Sequence, residues 1–128
     1  MPSVKDYAIA KLATVTGINA KTIAATTLLR VPLGKSMVVD HMVIRVTAFT
    51  AGAKATQAKA EFGGTAAWND CVAEAEYTVA ATNVCFRVSA PATVVPIYQA
   101  AAYFKIDITV ASDATTETWA VDLFGYLL

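Results

Sequence analysis

The chain has 128 residues and a mass of 13.5 kDa, the size of a single domain, because two separate cores would each bury too little surface to offset the entropy lost on folding. Ten basic residues balance ten acidic ones and are dispersed along the chain, which argues against a nucleic-acid or membrane-surface partner. Charged residues make up 16% of the chain and hydrophobic residues 56%, so part of the surface must be apolar. This composition favours a protein that works within an assembly.

The cysteines and the apolar segments exclude further classes. Cys71 and Cys85 are too few for a disulfide scaffold and have no second pair at zinc spacing, so both are expected to be reduced thiols. Residues 1–7 do not resemble a secretory signal, and no stretch reaches the roughly 18 uninterrupted apolar residues of a membrane helix. We therefore expect a soluble protein that is not exported by this route and has no membrane partner.

Alternation of apolar and polar residues predicts strands along the chain. The first is expected at residues 13–18 and the second at 27–31, after which Pro32 and Gly34 mark a turn. We predict that a hairpin leads through this turn into a third strand at 42–48. Further strands are predicted at residues 56–62, 84–89, 103–110 and 118–123.

The frequent alanines do not favour helices, since they are interleaved with Thr and Val and form no helical stripe. Residues 66–77 are compatible with a short helix or with a strand and loop, and the strand and loop is favoured. About eight strands result, which predicts that residues 1–128 form one all-β domain, an antiparallel β-sandwich with jelly-roll topology. Residues 1–10 are expected to form an N-terminal arm.

The only histidine offers no catalytic arrangement. His41 shares its predicted strand face with Val39, Val43 and Arg45, and nucleophilic catalysis would require a base held beside a nucleophile and a third orienting group. A structural role is expected for this side chain.

The acidic residues and the glycines are also interpreted as structural. Glu74 and Glu76 could share one strand face for acid–base chemistry, but a solvated edge is the favoured interpretation. Asp70 is expected to form a turn, because no dense run of oxygen ligands surrounds it. The Gly63-Gly64 pair lacks the lysine of a phosphate loop. We predict no enzymatic activity, no metal site and no cofactor.

Aromatic residues leave a binding function open. Trp68, Trp119, Tyr98 and Tyr103 could line a sugar-binding face, so a carbohydrate-binding sandwich is one alternative function. Packing in the core is expected for Trp119, which alternates with Val121 and Leu123. Trp68 is expected at the surface or at a seam between subunits.

Four segments resemble small structural proteins of tailed bacteriophages. They are residues 27–35 (Thr-Leu-Leu-Arg-Val-Pro-Leu-Gly-Lys), the strand at 42–47, the Trp-Asn-Asp step at 68–70 and the C-terminal Val-Asp-Leu-Phe-Gly-Tyr-Leu-Leu at 121–128. The resemblance implies a jelly-roll module that decorates or cements the phage head, often as a trimer, although related sandwiches serve in tails and fibres. It implies no catalytic residues.

Alternation on the last strand predicts an interface. If Trp119 and its odd-numbered neighbours fill the core, Phe124 and Tyr126 project outward to cover another subunit or the shell. The predicted interface residues are Met1, Val4, Tyr7, Trp68, Phe124, Tyr126, Leu127 and Leu128. The resemblance implies head decoration or cementing at the virion surface by a homotrimer that is made in the host cytoplasm and binds the major capsid protein. The alternatives are a tail or fibre component and a carbohydrate-binding sandwich for host attachment.

Overall fold

The computed structural model describes residues 9–52, 55–90 and 97–128, and every regular element within them is a strand. The strands are β1 (Ala10–Asn19), β2 (Ala25–Arg30), β3 (Met37–Thr50), β4 (Ala58–Gly63), β5 (Val72–Tyr77), β6 (Cys85–Ser89), β7 (Ile97–Tyr98), β8 (Tyr103–Val110) and β9 (Thr116–Leu127). The all-β prediction is confirmed, and residues 66–77 form a loop followed by β5, as predicted.

The strands form two antiparallel sheets packed as a sandwich. The first sheet has the order β1-β9-β3-β6, with the short β7 also paired to β3, and the second sheet has the order β2-β8-β4-β5. The pairs are nested along the chain: β1 pairs with β9, β2 with β8, β3 with β6 and β4 with β5. The first and last strands of the chain are therefore neighbours.

The core lies between the two sheets and follows the predicted alternation. Trp119, Val121 and Leu123 are buried on the inner face of β9, as predicted. From the second sheet, the ring of Tyr77 packs edge-on against Trp119, with 5.8 Å between the ring centroids. The large apolar side chains that fill the remaining space without exposure include Met37, Met42, Ile44, Phe62, Phe104, Ile106 and Ile108.

The predicted hairpin between the second and third strands is wrong. The turn itself forms, since the Lys35 N–H donates to the Pro32 carbonyl at 3.2 Å and Gly34 takes a positive φ of 74°. However, β2 pairs with β8 and β3 pairs with β9, so this turn carries the chain from the second sheet to the first. The same turn residues are compatible with a hairpin within one sheet and with a connection between two sheets. The packing of distant strands decides which of the two forms.

A β-bulge at Asp40 changes which residues of β3 face outward. The register passes from Val39 opposite Gly125 to His41 opposite Phe124, so Val39 lies in the core and does not share the face of His41 as predicted. Gly125 is required here, because a Cβ atom at this position would lie 2.1 Å from the Val38 carbonyl oxygen.

Candidate functional site

His41 and Asp70, two of the residues considered for chemistry, have structural partners. The His41 Nδ1 atom lies 2.7 Å from the Asp40 carboxylate, and its ring stacks on Phe124 with 4.5 Å between centroids. Asp70 accepts hydrogen bonds from the N–H groups of Gly64 and Thr65 and from the Thr65 hydroxyl, so it organises the β4–β5 loop as a turn former.

Glu74 and Glu76 are exposed on β5, which is an edge strand of the second sheet, in agreement with the solvated-edge interpretation. The Thr109 hydroxyl donates to Glu74. Within the described parts of the chain, no group of three or more His, Cys, Asp or Glu side chains is placed to hold a metal ion.

The predicted interface residues divide between different parts of the fold. Phe124 and Tyr126 are half-buried on the outer face of the first sheet, and Leu128 is 44% exposed. Leu127 is partly buried and packs against the core, because β9 continues its alternation to this residue. Trp68 lies on a different surface, at the outer side of the second sheet beside Lys105. The predicted residues Met1, Val4 and Tyr7 lie outside the described residues.

An apolar band crosses the outer face of the first sheet. Tyr126 pairs with Val38 on β3, and Val38 in turn pairs with Ile97 on β7, which is 55% exposed. At the other side of β9, Ala10 pairs with Gly125, so alternation places the neighbouring Ile9, 52% exposed, beside Tyr126. The apolar band comprises Ile9, Val38, Ile97, Phe124, Tyr126 and Leu128.

Sequence reasoning found three members of the apolar band and missed Ile9, Val38 and Ile97. Ile97 lies on a strand of two residues, which is too short for any alternation to be detected. Val38 precedes the bulge, where the period of two along β3 is interrupted. Their neighbours in the band come from distant parts of the chain, so only strand pairing brings the six residues together.

The aromatic residues proposed to line a sugar-binding face are not on one surface. Trp119 is fully buried, as its alternation with Val121 and Leu123 predicted, and Tyr98 is nearly so, so neither can contribute to a binding face. Trp68 and Tyr103 remain at the surface of the second sheet. There the Lys105 Nζ atom lies 4.5 Å from the Trp68 ring centroid, and the Arg30 guanidinium lies 5.1 Å from that of Tyr103.

Comparison of the chain with known protein families, with curated proteins and with solved structures finds no match. The function is therefore inferred from the geometry of the protein's surfaces. Across residues 9–52, 55–90 and 97–128, no helix has the length and hydropathy needed to cross a bilayer.

Beyond the apolar band, the outer face of the first sheet is polar. The Asp122 carboxylate accepts hydrogen bonds from Arg45 at 2.8 and 3.2 Å and from the Thr14 hydroxyl at 2.8 Å. Burial by itself would raise the pKa of Asp122, but the hydrogen bonds from Arg45 and Thr14 and the positive charges of Arg45 and Lys11 outweigh it and lower that pKa. The Arg45–Asp122 ion pair joins β3 to β9, and the Thr14 hydrogen bond joins β1 to β9, on the solvent side of the sheet.

We expect Asp122→Asn to weaken the acid dependence of folding stability. Because the pKa of Asp122 is lower in the folded than in the unfolded protein, its stabilisation is present above about pH 4 and is lost as the pH falls through the lower folded-state pKa. Urea denaturation between pH 7 and pH 2 should show a smaller loss of unfolding free energy for the variant than for the parent protein. Glu76→Gln, at an exposed carboxylate, is the control and should keep the parent profile. An unchanged profile in Asp122→Asn would contradict this role.

The two free cysteines differ in their surroundings. Cys71 is buried, and burial, together with the nearby charge of Asp70, raises the pKa of its thiol to about 11. Cys85 is exposed on β6, opposite Arg45. Cys71 is therefore an inert core residue at neutral pH.

Proposed function

We propose that the protein is a structural component of a tailed bacteriophage particle that decorates the head and cements its shell. The apolar band is its contact surface. The single observation that carries the proposal is that three exposed residues share one sheet face with Tyr126: Ile9 and Leu128 lie beside it, and Ile97 lies beyond Val38. An apolar band of this kind is typical of a surface that another protein covers.

The energetics of the apolar band suit a repetitive shell. Burial of the exposed halves of Ile9 and Ile97 contributes about 1 kcal/mol each, so one copy gains only a modest contact energy from its aliphatic side chains. Assembly into a trimer raises the effective concentration of the second and third contacts, which strengthens attachment without new contacts. The low proportion of charged residues, 16% of the chain, limits the desolvation cost of covering this face.

The nested pairing supports a jelly roll as the topology of this sandwich. When one long antiparallel hairpin is wound around a core, the first strand pairs with the last, the second strand pairs with the second-last, and so on inward. Jelly rolls occur in viral capsid domains, which agrees with the resemblance of residues 27–35 and 121–128 to phage structural proteins.

The proposal is tested on purified particles. Mass spectrometry should find the protein with heads at a copy number that matches the lattice of the major capsid protein, and heads that lack it should release their contents at a lower temperature. Recovery with separated tails would support the tail or fibre alternative instead. Equal thermal stability of bare and decorated heads would contradict cementing.

A further inference from the structure

The outer face of the second sheet, on the opposite side of the sandwich from the apolar band, carries two positive charges beside two aromatic rings. Arg30 on β2 pairs with Tyr103 on β8, and Lys105 lies two residues further along β8 on the same face. The Lys105 Nζ atom lies 4.5 Å from the Trp68 ring centroid and 5.9 Å from that of Tyr103. We call Arg30, Trp68, Tyr103 and Lys105 the aromatic–cation patch.

Within the part of the chain that the structure describes, the two cations of the aromatic–cation patch have no acidic partner. Among the described residues, no carboxylate lies within ion-pair distance of Arg30 or Lys105, whereas Arg45 and Arg87 both contact carboxylates. Cation–π contacts orient the two positive charges but do not neutralise them, and contribute only about 0.5–1 kcal/mol each at an exposed site. The positive charges are therefore available to an anionic ligand.

The loop that presents Trp68 is held in a strained conformation. Ala67 and Trp68 take positive φ angles of 83° and 54°, which cost roughly 1–2 kcal/mol per residue without glycine. The three hydrogen bonds accepted by Asp70 offset this cost, and the loop folds back so closely over Gly63 that a Cβ atom there would lie 2.7 Å from the Trp68 carbonyl carbon. These contacts hold the backbone at Trp68, whose ring lies against Lys105.

The surroundings of the aromatic–cation patch limit where a ligand can extend. On one side, Glu61 pairs with Asp107 on the same face, and burial together with the charge of Asp107 raises the pKa of Glu61. A polyanion long enough to extend along β8 past Lys105 would meet these carboxylates. On the other side, Arg30 borders a cleft of about 200 Å³ that Val31, Pro32, Leu33 and Ala101 also line, with Leu33 87% exposed. A short ligand with an anionic group and an apolar face fits this arrangement.

From this geometry we propose that the aromatic–cation patch binds an acidic saccharide. The carboxylate of the sugar pairs with Arg30 and Lys105, and an apolar ring face packs on the exposed parts of Tyr103 and Leu33. A nucleic acid would carry its phosphates onto Glu61 and Asp107, and two cations supply little binding energy for it. The proposal does not depend on membership of a phage particle, because the aromatic–cation patch and the apolar band lie on opposite faces.

NMR titration of the full chain with tetragalacturonate tests the proposal. The indole N–H of Trp68 should shift in a saturable manner below about 10 mM ligand. The indole N–H of Trp119 is the internal control, because it is buried and hydrogen-bonded to Glu117 at 3.0 Å. The neutral maltotetraose should cause no shift. Absence of a shift of Trp68 with tetragalacturonate, or an equal shift with maltotetraose, would overturn the proposal.

Charge removal gives a second, independent readout. Arg30→Ala and Lys105→Ala should each weaken tetragalacturonate binding about tenfold, which is the loss expected for one charge-assisted hydrogen bond. Lys59→Ala is the matched control. Lys59 lies on the same face but outside the aromatic–cation patch, on β4, where the strand register places it opposite Glu76 of β5. Equal affinity in Lys59→Ala and Lys105→Ala would contradict the assignment, and binding of tetraglutamate as tightly as tetragalacturonate would replace the saccharide with an acidic peptide.

Discussion

Replacement of Tyr126 by Asp should abolish the proposed attachment of the protein to phage heads. Tyr126 lies at the centre of the apolar band, between Ile9 and Val38, so a carboxylate there would be buried without a partner in the assembled particle. Burial of an unpaired charge costs about 3 kcal/mol or more, which corresponds to about a 100-fold or greater loss of affinity. Co-sedimentation with heads that lack the protein measures this loss, and light scattering of the isolated protein shows whether the apolar band also joins copies of the chain.

The chain offers a matched control for this experiment. Tyr103→Asp makes the same change at a residue 43% exposed on the opposite face, and it should leave attachment to heads intact while it disturbs the aromatic–cation patch. Ile97→Asp, at a more exposed member of the apolar band, guards against a folding defect in Tyr126→Asp and should weaken attachment in the same direction. Equal attachment of Tyr126→Asp and Tyr103→Asp would show that the apolar band is not the contact surface.

Replacement of Trp119 by Ala should lower the free energy of unfolding by about 3–5 kcal/mol, the range for removal of a large buried aromatic side chain. Trp119 is the largest fully buried side chain, it contacts Tyr77 across the core, and its indole N–H donates to the buried Glu117 carboxylate. The variant therefore loses packing between the sheets and also leaves Glu117 with one partner fewer. Urea denaturation followed by circular dichroism measures the change.

The other tryptophan provides the comparison for this substitution. Trp68→Ala makes the same change at a half-buried surface position, where we expect a loss below about 1 kcal/mol. Trp119→Phe keeps most of the apolar volume but removes the N–H donor to Glu117, so its cost should lie between those of the two alanine variants. A loss in Trp119→Ala no larger than that in Trp68→Ala would show that the sheets do not depend on this contact.

The composition and alternation of the sequence predicted much of the sandwich and part of its surface. The inward positions of Trp119, Val121 and Leu123 followed from a period of two, and the same period placed Phe124 and Tyr126 outward. Both assignments hold because the alternation of side chains along a strand is a local property of the backbone.

Bulges and strand partners are where the predictions were incomplete or wrong. One extra residue at Asp40 reverses the alternation of β3, and the sequence around it carries no sign of this insertion. The close approach of the Val38 carbonyl to Gly125 explains the glycine, but only once β3 and β9 are known to be neighbours.

By itself, the sequence determined that the chain is all-β, that its surface is poor in charge and which side of most strands faces the core. The tertiary structure alone decided that Ile9, Tyr126, Val38 and Ile97 lie in a row on one sheet face, and that Arg30 and Lys105 converge on one tyrosine ring. The physical reason is that backbone hydrogen bonds are alike in every possible strand pairing. The choice among pairings therefore comes from packing of the whole core, and surfaces assembled from distant strands form only after that choice is made.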